Sequence, residues 1–469
     1  MFITFVGMSV INYAFGFAAG WLLAPGDFGL LAFSQTVLTI AGLVLNSGFA
    51  WSLTAALVGT DREERARLVR GTGLGNLLLA LLMGVAILGL YAFGPLKPGL
   101  EKWYIAVLVA GSLPLLSLVA TARATLQGSE RFGVLASLWL IETVTKAITG
   151  IGLVIAGFGA VGAIAGFFIG SLLAGLVGVF ILIKMLGISP FGPRQSLSFQ
   201  QAGAMFSALL GIALLLNMDV LALKLFNHGD RSVVGYYQAG IILANTPYYM
   251  MTATFPVIFI QIVRKKTIRD SVAVVGETFR LALIVLLPIE ALLALFPQTF
   301  LHLLFPAVYV AGAPALRLLA LGNAAIILVA VLSTAYQGIG RAITAGRTLI
   351  GVVAIEAILL RVAVPKWHVV GAATLFLVAT GTTLLILGIH YLRHLDYTTL
   401  QAGFRWLGKY CLAVIIGIFA GGLILALFNN DWLAIVVSGS IYFLGLHWFQ
   451  LFSISSLGQK IVDFRAMGM

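Results

Sequence analysis

The sequence predicts an all-α protein that crosses a membrane about fourteen times. Hydrophobic residues make up 61% of the 469 residues and charged residues make up 9%, whereas a soluble domain carries about a quarter charged residues. Apolar runs of roughly 20 residues, the length that spans a bilayer, follow one another with short polar connections between them. Nearly all of the chain is therefore expected to lie in lipid.

Each predicted span is an apolar run bounded by polar residues. The first run, MFITFVGMSVINYAFGFAAGWLL, is too long for the apolar core of a signal peptide. It lacks a charged lead-in, so we expect a first spanning helix and a truncated N-terminus. The predicted spans cover roughly residues 2–24, 30–56, 71–93, 103–125, 134–157, 160–186, 203–226, 234–262, 272–296, 311–336, 345–364, 369–391, 406–427 and 431–452.

The basic residues lie mainly in short loops and predict the orientation. With the N-terminus inside, about 20 of the 28 Lys and Arg residues fall on the inner face and about 7 on the outer face. Both termini are therefore expected in the cytoplasm. The net charge of +12 follows from these loop residues, and no nucleic-acid partner is expected.

A six-span repeat predicts two lobes. The fourth span ends in ATARATLQGSERF and the tenth in VLSTAYQGIGRAI, with Gln, Gly and Arg at identical spacing. Parallel repeats of this kind place a substrate path at their interface. The predicted organisation is an N-terminal lobe over 1–187, a cytoplasmic linker over 188–202, a C-terminal lobe over 203–393, and two appended spans with a cytoplasmic tail over 394–469.

Several phrases resemble those of polysaccharide exporters. They are LLAPGDFGLLAFSQTVL after the first span, LLNMDVLALKLFNHGDRSVVGYYQAG around the seventh and eighth, and PALRLLALGN and YQGIGRA in and after the tenth. The chain resembles the oligosaccharide flippases of the PST (Wzx) type, in the MATE/MOP superfamily of multidrug exporters and lipid II flippases. This resemblance implies a MATE-like fold of two six-helix lobes.

The resemblance also implies an alternating-access carrier of the plasma (inner) membrane and not an enzyme. Such proteins move an undecaprenyl-pyrophosphate-linked oligosaccharide to the outer leaflet for O-antigen (lipopolysaccharide), capsule or exopolysaccharide assembly. The implied partners are this substrate, membrane lipids and other polysaccharide-assembly membrane proteins. No cofactor is expected beyond a coupling ion, H⁺ or Na⁺, and the sequence has no Walker-type phosphate loop.

Two alternatives remain. One is a MATE-type cation-coupled exporter of small molecules, which needs an acid-dominated cavity. The other is a polytopic glycan-processing enzyme, against which the short loops argue.

Charged residues inside the spans are the candidate substrate contacts. A charge at a helix centre costs about 2.5–3.5 kcal/mol to insert, so such residues are expected to face a cavity or a partner. A pyrophosphate head group needs cations along its path, and arginine binds phosphate through two parallel N–H bonds. Lys146, near the middle of a span, is the first candidate, and Arg280, Arg317 and Arg123 are expected to flank the same path.

The surroundings of Lys146 allow two further hypotheses. Glu142 lies four residues earlier on the same helix face in the favourable order, so the alternative to a substrate role is mutual neutralisation. Lys146 and Glu356 follow the repeated arginine at the same spacing, which predicts a contact between them across the lobes.

Three acids, Asp219, Glu290 and Glu356, are candidates for ion coupling. The alternative for Asp219 is pairing with Lys224 or a position toward the outer face. For Glu290, just after Pro288, it is a position at the outer interface.

Uncharged polar residues in the spans are candidates for binding sugar hydroxyls, with interhelical hydrogen bonding as the alternative. Tyr236 and Tyr237 are assigned to an outer aromatic belt, with contact to sugar faces as the alternative. His390 and His394 lack a metal-binding pattern, so no metal site is predicted. The polar candidates are Asn46, Gln35 and Asn245, together with Asn12, Asn76, Gln238 and Asn323.

Overall fold

The structure is a computed structural model of the chain. It describes residues 2–47, 49–57, 60–185, 187–188, 192–195, 203–227, 230–252, 254–263, 268–449 and 451. These residues form helices and no strand. Most of the predicted linker over 188–202, part of the basic loop at 263–270 and the predicted tail beyond 451 lie outside the described residues.

The first half of the chain forms eight helices and two π-helical turns. The π-helical turns follow α7 and α8, at Val154–Phe158 and Ile181–Met185. The helices are α1 (Phe2–Leu22), α2 (Pro25–Ser47), α3 (Phe49–Ala56), α4 (Arg62–Ala92), α5 (Lys97–Leu100), α6 (Trp103–Gly128), α7 (Phe132–Leu153) and α8 (Gly159–Phe180). We call residues 2–185 the N-terminal half.

The second half has nine helices, and two more follow it. A π-helical turn, Ala282–Leu286, joins α13 to α14, and a 3₁₀ turn, Ala307–Gly312, precedes α16. We call residues 203–392 the C-terminal half. The helices are α9 (Gly203–Leu215), α10 (Met218–Phe226), α11 (Ser232–Thr252), α12 (Phe255–Val263), α13 (Ile268–Leu281), α14 (Leu287–Leu295), α15 (Pro297–Leu304), α16 (Ala313–Gly338), α17 (Ala342–Leu392), α18 (Tyr397–Phe428) and α19 (Asp431–Trp448).

Two helical stretches are too long to be single spans. Phe132–Lys184 has 53 residues and Ala342–Leu392 has 51, so each would extend about 75–80 Å if straight, against a hydrocarbon core of about 30 Å. Both turn where φ is positive, at Gly157 (93°) and at His368 (45°). Each stretch therefore holds two of the predicted spans.

The helical membrane fold is confirmed. Within the described part of the chain, eight helices are long and apolar enough to cross a membrane, or nine if the bent pair α9–α10 forms one span. Because two of these stretches fold back, the numbers are compatible with about fourteen spans.

The repeated Gln-Gly-x-x-Arg motif has the same backbone geometry in both halves. The N–H groups of Arg131 and Arg341 each donate to the carbonyl five positions earlier, at 2.9 and 2.7 Å. The residue before each arginine has a positive φ, 56° at Glu130 and 77° at Gly340. The short sequence match therefore marks the same turn, after α6 and after α16.

The appended helices α18 and α19 pack on the π-helical turn of the C-terminal half. A π turn breaks the regular ladder of backbone hydrogen bonds. Tyr410 OH donates to the carbonyl of Leu283 at 2.6 Å, and Tyr442 OH donates to that of Ile284 at 3.0 Å. These two tyrosines satisfy carbonyl groups that lipid cannot, and so attach the appended pair to the core.

The two halves approach each other closely at the first turns of α2 and α11, which the predicted orientation places at the outer face. A Cβ at Gly29 would lie 2.9 Å from Cβ of Val234, and one at Gly235 would overlap the carbonyl oxygen of Pro25. Glycine at both positions permits this approach. The outer ends of the halves are therefore in contact in this conformation.

Candidate functional site

Lys146 lies midway along α7, with its ammonium group at the boundary with α1. Its Nζ donates a hydrogen bond to Oδ1 of Asn12. The same nitrogen lies 4.9 Å from the ring centroid of Phe167 and 5.8 Å from that of Phe15. Such cation–π contacts contribute about 0.5–2 kcal/mol each. Among the described residues no acidic side chain is paired with Lys146, so a neutral amide and two rings hold the charge.

The predicted ion pair between Glu142 and Lys146 does not form. Glu142 pairs with Arg123 of α6, and both side chains are 18% exposed. The Arg123 guanidinium also lies 5.9 Å from the ring of Trp139. Glu142 still acts electrostatically on Lys146, but α6 supplies the cation that it binds. Lys146 is left available to another anion.

Glycines of α8 bring its backbone against α7 at the level of Lys146. A Cβ at Gly166 would lie 2.5 Å from Cα of Gly150 and 2.8 Å from the carbonyl oxygen of Lys146. A Cβ at Gly170 would lie 3.0 Å from the carbonyl oxygen of Glu142. Small residues four apart form one helix face and allow such contact. The sequence spacing in α8 thus fixes the backbone from which both charged side chains project.

The Lys146 site borders the C-terminal half. Gly16 follows Asn12 by one turn on the same face of α1, and a Cβ there would lie 3.1 Å from Cδ1 of Ile242 in α11. The rings of Tyr13 and Tyr249 also meet across this boundary, with centroids 6.3 Å apart. Asn12 and Lys146 therefore lie beside the junction of the two halves, where a path between them would run.

Asp219 is buried in the C-terminal half and does not pair with Lys224. It is 1% exposed, and its Oδ2 accepts a hydrogen bond from Tyr237 OH at 2.5 Å. Its Oδ1 accepts from the backbone N–H of Val220 at 2.7 Å. The alternatives of a Lys224 partner and of a solvent-facing acid are therefore wrong, because Lys224 extends to Glu101 of the other half.

Glu356 lies on α17, which packs on α10, the helix that carries Asp219. It is 2% exposed, and neither carboxylate oxygen has a hydrogen-bond partner in the described part of the chain. Asp219 and Glu356 thus lie buried on α10 and α17, two helices that pack on each other. The predicted contact between Glu356 and Lys146 is not formed.

Glu290 is also buried, and its predicted alternative position near the outer interface stays a prediction. It is 1% exposed, and both oxygens lack a partner among the residues described. Pro288 and the preceding π turn interrupt the regular helix between α13 and α14. The three candidate coupling acids thus all lie inside the C-terminal half.

Arg280 and Arg317 do not join Lys146, contrary to the expectation that they flank one path with it. The guanidinium of Arg280 lies 5.5 Å from the ring of Trp406 in the appended α18. Nε of Arg317 donates to the carbonyl of Ala294, at the end of α14, at 3.1 Å. Arg317 thus joins two helices of the C-terminal half, whereas Arg280 joins that half to the appended α18. Of the predicted cations, only Arg123 lies near Lys146.

Comparison with known proteins places the chain in a family. A family model described as polysaccharide biosynthesis protein matches residues 4–261, more than half of the chain. The chain belongs to this family. An uncharacterized membrane protein of Methanocaldococcus jannaschii is 25% identical over 190 residues, which cover 40% of this chain and 36% of that protein.

Solved structures share the fold of this polysaccharide biosynthesis family member. The lipid II flippase MurJ, in an inward closed conformation, matches with a TM-score of 0.74 at 14% identity, over 95% of this chain and 98% of that one. An inward-facing multidrug resistance MATE family transporter of the MOP superfamily matches with a TM-score of 0.60 at 16% identity, over 83% of this chain and 98% of that one. The MATE-like fold is therefore established.

The uncharged polar residues predicted to bind sugar lie on different helices of the protein. Nδ2 of Asn46 donates to the carbonyl of Gly42 within α2, at 2.7 Å. Gln35 is half-buried on α2, and Asn245 is 7% exposed on α11. Asn76 of α4 donates to a carbonyl of α6 at 3.4 Å, which is the interhelical role given as the alternative. Their contact with a sugar stays a prediction.

Two features of the site were missed in the sequence. Tyr237, assigned to the outer belt, is 0% exposed and binds Asp219. The residues lie in different helices, so no periodicity relates them. The pairing of Glu101 with Lys224 was missed for the same reason, because four helices, α6 to α9, separate the two residues along the chain.

Proposed function

We propose that this protein is a flippase that moves an undecaprenyl-pyrophosphate-linked oligosaccharide from the inner to the outer leaflet by alternating access. The product would enter O-antigen, capsule or exopolysaccharide assembly. The observation that carries the proposal is Lys146, a mid-span cation beside the junction of the halves with no acidic partner in the part of the chain that is described. Phosphate forms stronger, charge-assisted bonds with an ammonium group than an amide does, so a head group would replace Asn12.

Family and fold support transport by a two-lobed protein. The matched family is one of polysaccharide biosynthesis, and both solved structures are named for moving molecules, which favours a carrier over a glycan-processing enzyme. The flippase covers 95% of the chain and the MATE transporter 83%. In the proposal, residues 1–187 and 203–393 rock against each other, 188–202 links them in the cytoplasm, and 394–469 is appended.

The same proposal assigns a location and partners. The protein would lie in the plasma (inner) membrane with both termini in the cytoplasm, as the basic loops predict. It would supply substrate to other polysaccharide-assembly membrane proteins. Sided labelling of single cysteines in intact cells tests this orientation.

We further propose that Asp219, Glu290 and Glu356 couple transport to an ion gradient. The carboxylate oxygens of Glu290 and Glu356 lack partners among the described residues, and oxygen ligands suit both H⁺ and Na⁺. Glu356→Gln should uncouple transport from the gradient while Lys146 still binds the head group. Substrate-dependent uptake of H⁺ or Na⁺ into proteoliposomes distinguishes the two ions.

A MATE-type exporter of small cations is the second candidate, and the buried acids favour it. Three carboxyl groups inside one half can bind a cationic drug as well as a coupling ion. A deletion strain separates the two functions. If the protein is a flippase, the deletion strain should lose surface glycan with unchanged drug sensitivity. If it is an exporter, the strain should become more drug-sensitive and keep its surface glycan.

The central experiment replaces Lys146 in a deletion strain and follows surface glycan. Loss of a charge-assisted hydrogen bond costs about 1.5–3 kcal/mol, so Lys146→Ala should weaken head-group binding by roughly 10–100-fold. Lys146→Arg should retain most export because arginine also binds phosphate. Lys366→Ala, at an exposed lysine of the same charge, is the matched control.

Binding to purified protein separates recognition from export. A lipid carrying a pyrophosphate without sugar should compete with the full substrate for the parent protein and poorly for Lys146→Ala. Wild-type export and wild-type binding by Lys146→Ala would contradict the proposal.

A further inference from the structure

A group of charged residues joins the two halves at the outer face. Glu101, between α5 and α6 of the N-terminal half, accepts a hydrogen bond from Nζ of Lys224 at 2.7 Å. Its second oxygen lies 3.4 Å from Nη1 of Arg231. Lys224 is in the last turn of α10 and Arg231 precedes α11, so both belong to the C-terminal half. With Lys97 and Asp230 they line a cavity of about 320 Å³.

Burial makes the pair of Glu101 and Lys224 the stronger of the two. The Lys224 side chain is 4% exposed and that of Glu101 is 18% exposed, whereas that of Arg231 is 77% exposed. An exposed ion pair contributes little, but removing one partner of a buried pair leaves an uncompensated charge. Asp219, the acid on the same helix as Lys224, is bound to Tyr237. Lys224 pairs instead with Glu101 of the N-terminal half.

The backbone of Glu101 is held in an unfavourable conformation. Its φ is 59° and its ψ is −53°, a region that residues with a side chain rarely occupy. Such conformations persist where the surrounding structure holds them, and they concentrate at functional sites. Here the conformation places the carboxylate across the junction, where it meets both cations.

The group lies beside the close contact of the halves. A Cβ at Gly26 of α2 would lie 3.6 Å from Cβ of Arg231, and Gly29 packs on Val234 one turn further along. A path to the outside between the halves has to separate α2 and α5 from α10 and α11. That separation necessarily parts Glu101 from Lys224.

We infer that Glu101, Lys224 and Arg231 form an ion-pair latch that keeps the outer face closed and opens once in each transport cycle. This inference rests on the alternating access of the proposed function. Its test needs no substrate, so failure of the latch and failure of the flippase proposal are distinguishable. The latch shifts the balance between two conformations through contacts that exist in one of them.

The experiment measures the opening of the junction by cysteine labelling. The one native cysteine, Cys411, is exposed and is replaced in a Cys411→Ser background. Val234→Cys then provides a reporter, because Val234 is 2% exposed and faces Gly29. The full-length protein in lipid nanodiscs is reacted with a water-soluble maleimide, and the labelling rate is compared between variants.

Glu101→Gln and Lys224→Met should each raise the labelling rate of the reporter about tenfold, within the range of typical conformational couplings. The double variant should label no faster than either single variant, because both remove the same interaction. Glu101→Asp, which shortens the side chain, should give an intermediate rate and serves if Glu101→Gln does not fold. Thermal unfolding checks that each variant is folded.

Two controls define the outcome. Glu63→Gln removes an exposed ion pair within α4 and should leave the rate unchanged. A cysteine at Phe93, which is 89% exposed, should react equally in all variants. The latch would be overturned if the reporter labelled at an unchanged rate in Glu101→Gln and Glu101→Asp. It would also be overturned if the effects of Glu101→Gln and Lys224→Met on the labelling rate multiplied in the double variant. An equal rise of the labelling rate in Glu63→Gln would have the same meaning.

Discussion

Replacing Gly166 by alanine tests whether the contact of α7 with α8 positions the Lys146 site. The added Cβ would lie 2.5 Å from Cα of Gly150 and 2.8 Å from the carbonyl oxygen of Lys146. Carbon atoms in contact lie about 3.5–4.0 Å apart, so α8 has to move away by about 1 Å. Because the atoms it meets belong to the backbone, no side-chain rotation relieves the overlap. We expect a loss of about 1–3 kcal/mol, as for other overpacked interiors.

The assay is thermal unfolding of the purified protein, followed by tryptophan fluorescence. Gly152→Ala is the matched control, because Gly152 lies on α7 and has nothing within 4 Å of its added Cβ. Alanine favours a helix over glycine by up to about 1 kcal/mol, so the control should keep or raise the Tm while Gly166→Ala lowers it. Binding of a pyrophosphate lipid should weaken in Gly166→Ala alone. Equal Tm values and equal binding would refute the positioning role of α8.

Two further substitutions test other buried contacts. Tyr410→Phe removes the hydrogen bond to the carbonyl of Leu283 and should destabilise the protein by about 1–3 kcal/mol. Thermal unfolding measures the effect, and Tyr397→Phe is the control because Tyr397 is 77% exposed. An equal Tm for the two variants would argue that this hydrogen bond does not attach α18 to the core. Tyr237→Phe should lower the free energy of unfolding by a similar amount, because Asp219 then accepts one hydrogen bond instead of two. Asp219→Asn should lower it less in the Tyr237→Phe background than in the parent protein. Additive effects of the two substitutions would show that the hydrogen bond between them contributes little.

The helical fold was predictable because in lipid the length and polarity of a segment decide its structure. Backbone groups in hydrocarbon require internal hydrogen bonds, so each apolar run has to become a helix. The repeated Gln-Gly-x-x-Arg motif indicated that the loops before Arg131 and Arg341 correspond, and both have a positive φ one residue before the arginine. The bends at Gly157 and His368 also fall at the predicted boundaries between spans, after 134–157 and between 345–364 and 369–391.

Partners across the fold were not predictable, because they depend on how helices assemble. Glu142 and Lys146 satisfy the local spacing rule for an ion pair, yet α6 brings Arg123 to the acid. The position of a charged residue within an apolar run did indicate which residues face the protein interior, since Lys146, Asp219 and Glu356 all lie partly or fully inside the protein. That position did not predict that Arg317 binds a carbonyl group at the end of a neighbouring helix.

The distribution of charge between the halves gives the proposed cycle a physical order. Lys146 lies in the N-terminal half without an acidic partner among the described residues, whereas Asp219 and Glu356 lie buried in the C-terminal half. In the proposed function, an anionic head group bound at Lys146 would be repelled by ionised acids of the C-terminal half, and a proton or cation bound to those acids would remove this repulsion. Linkage then requires that the head group raise the affinity of the acids for that ion by the same factor. The proposed coupling would therefore act through space and would need no contact between Lys146 and Glu356.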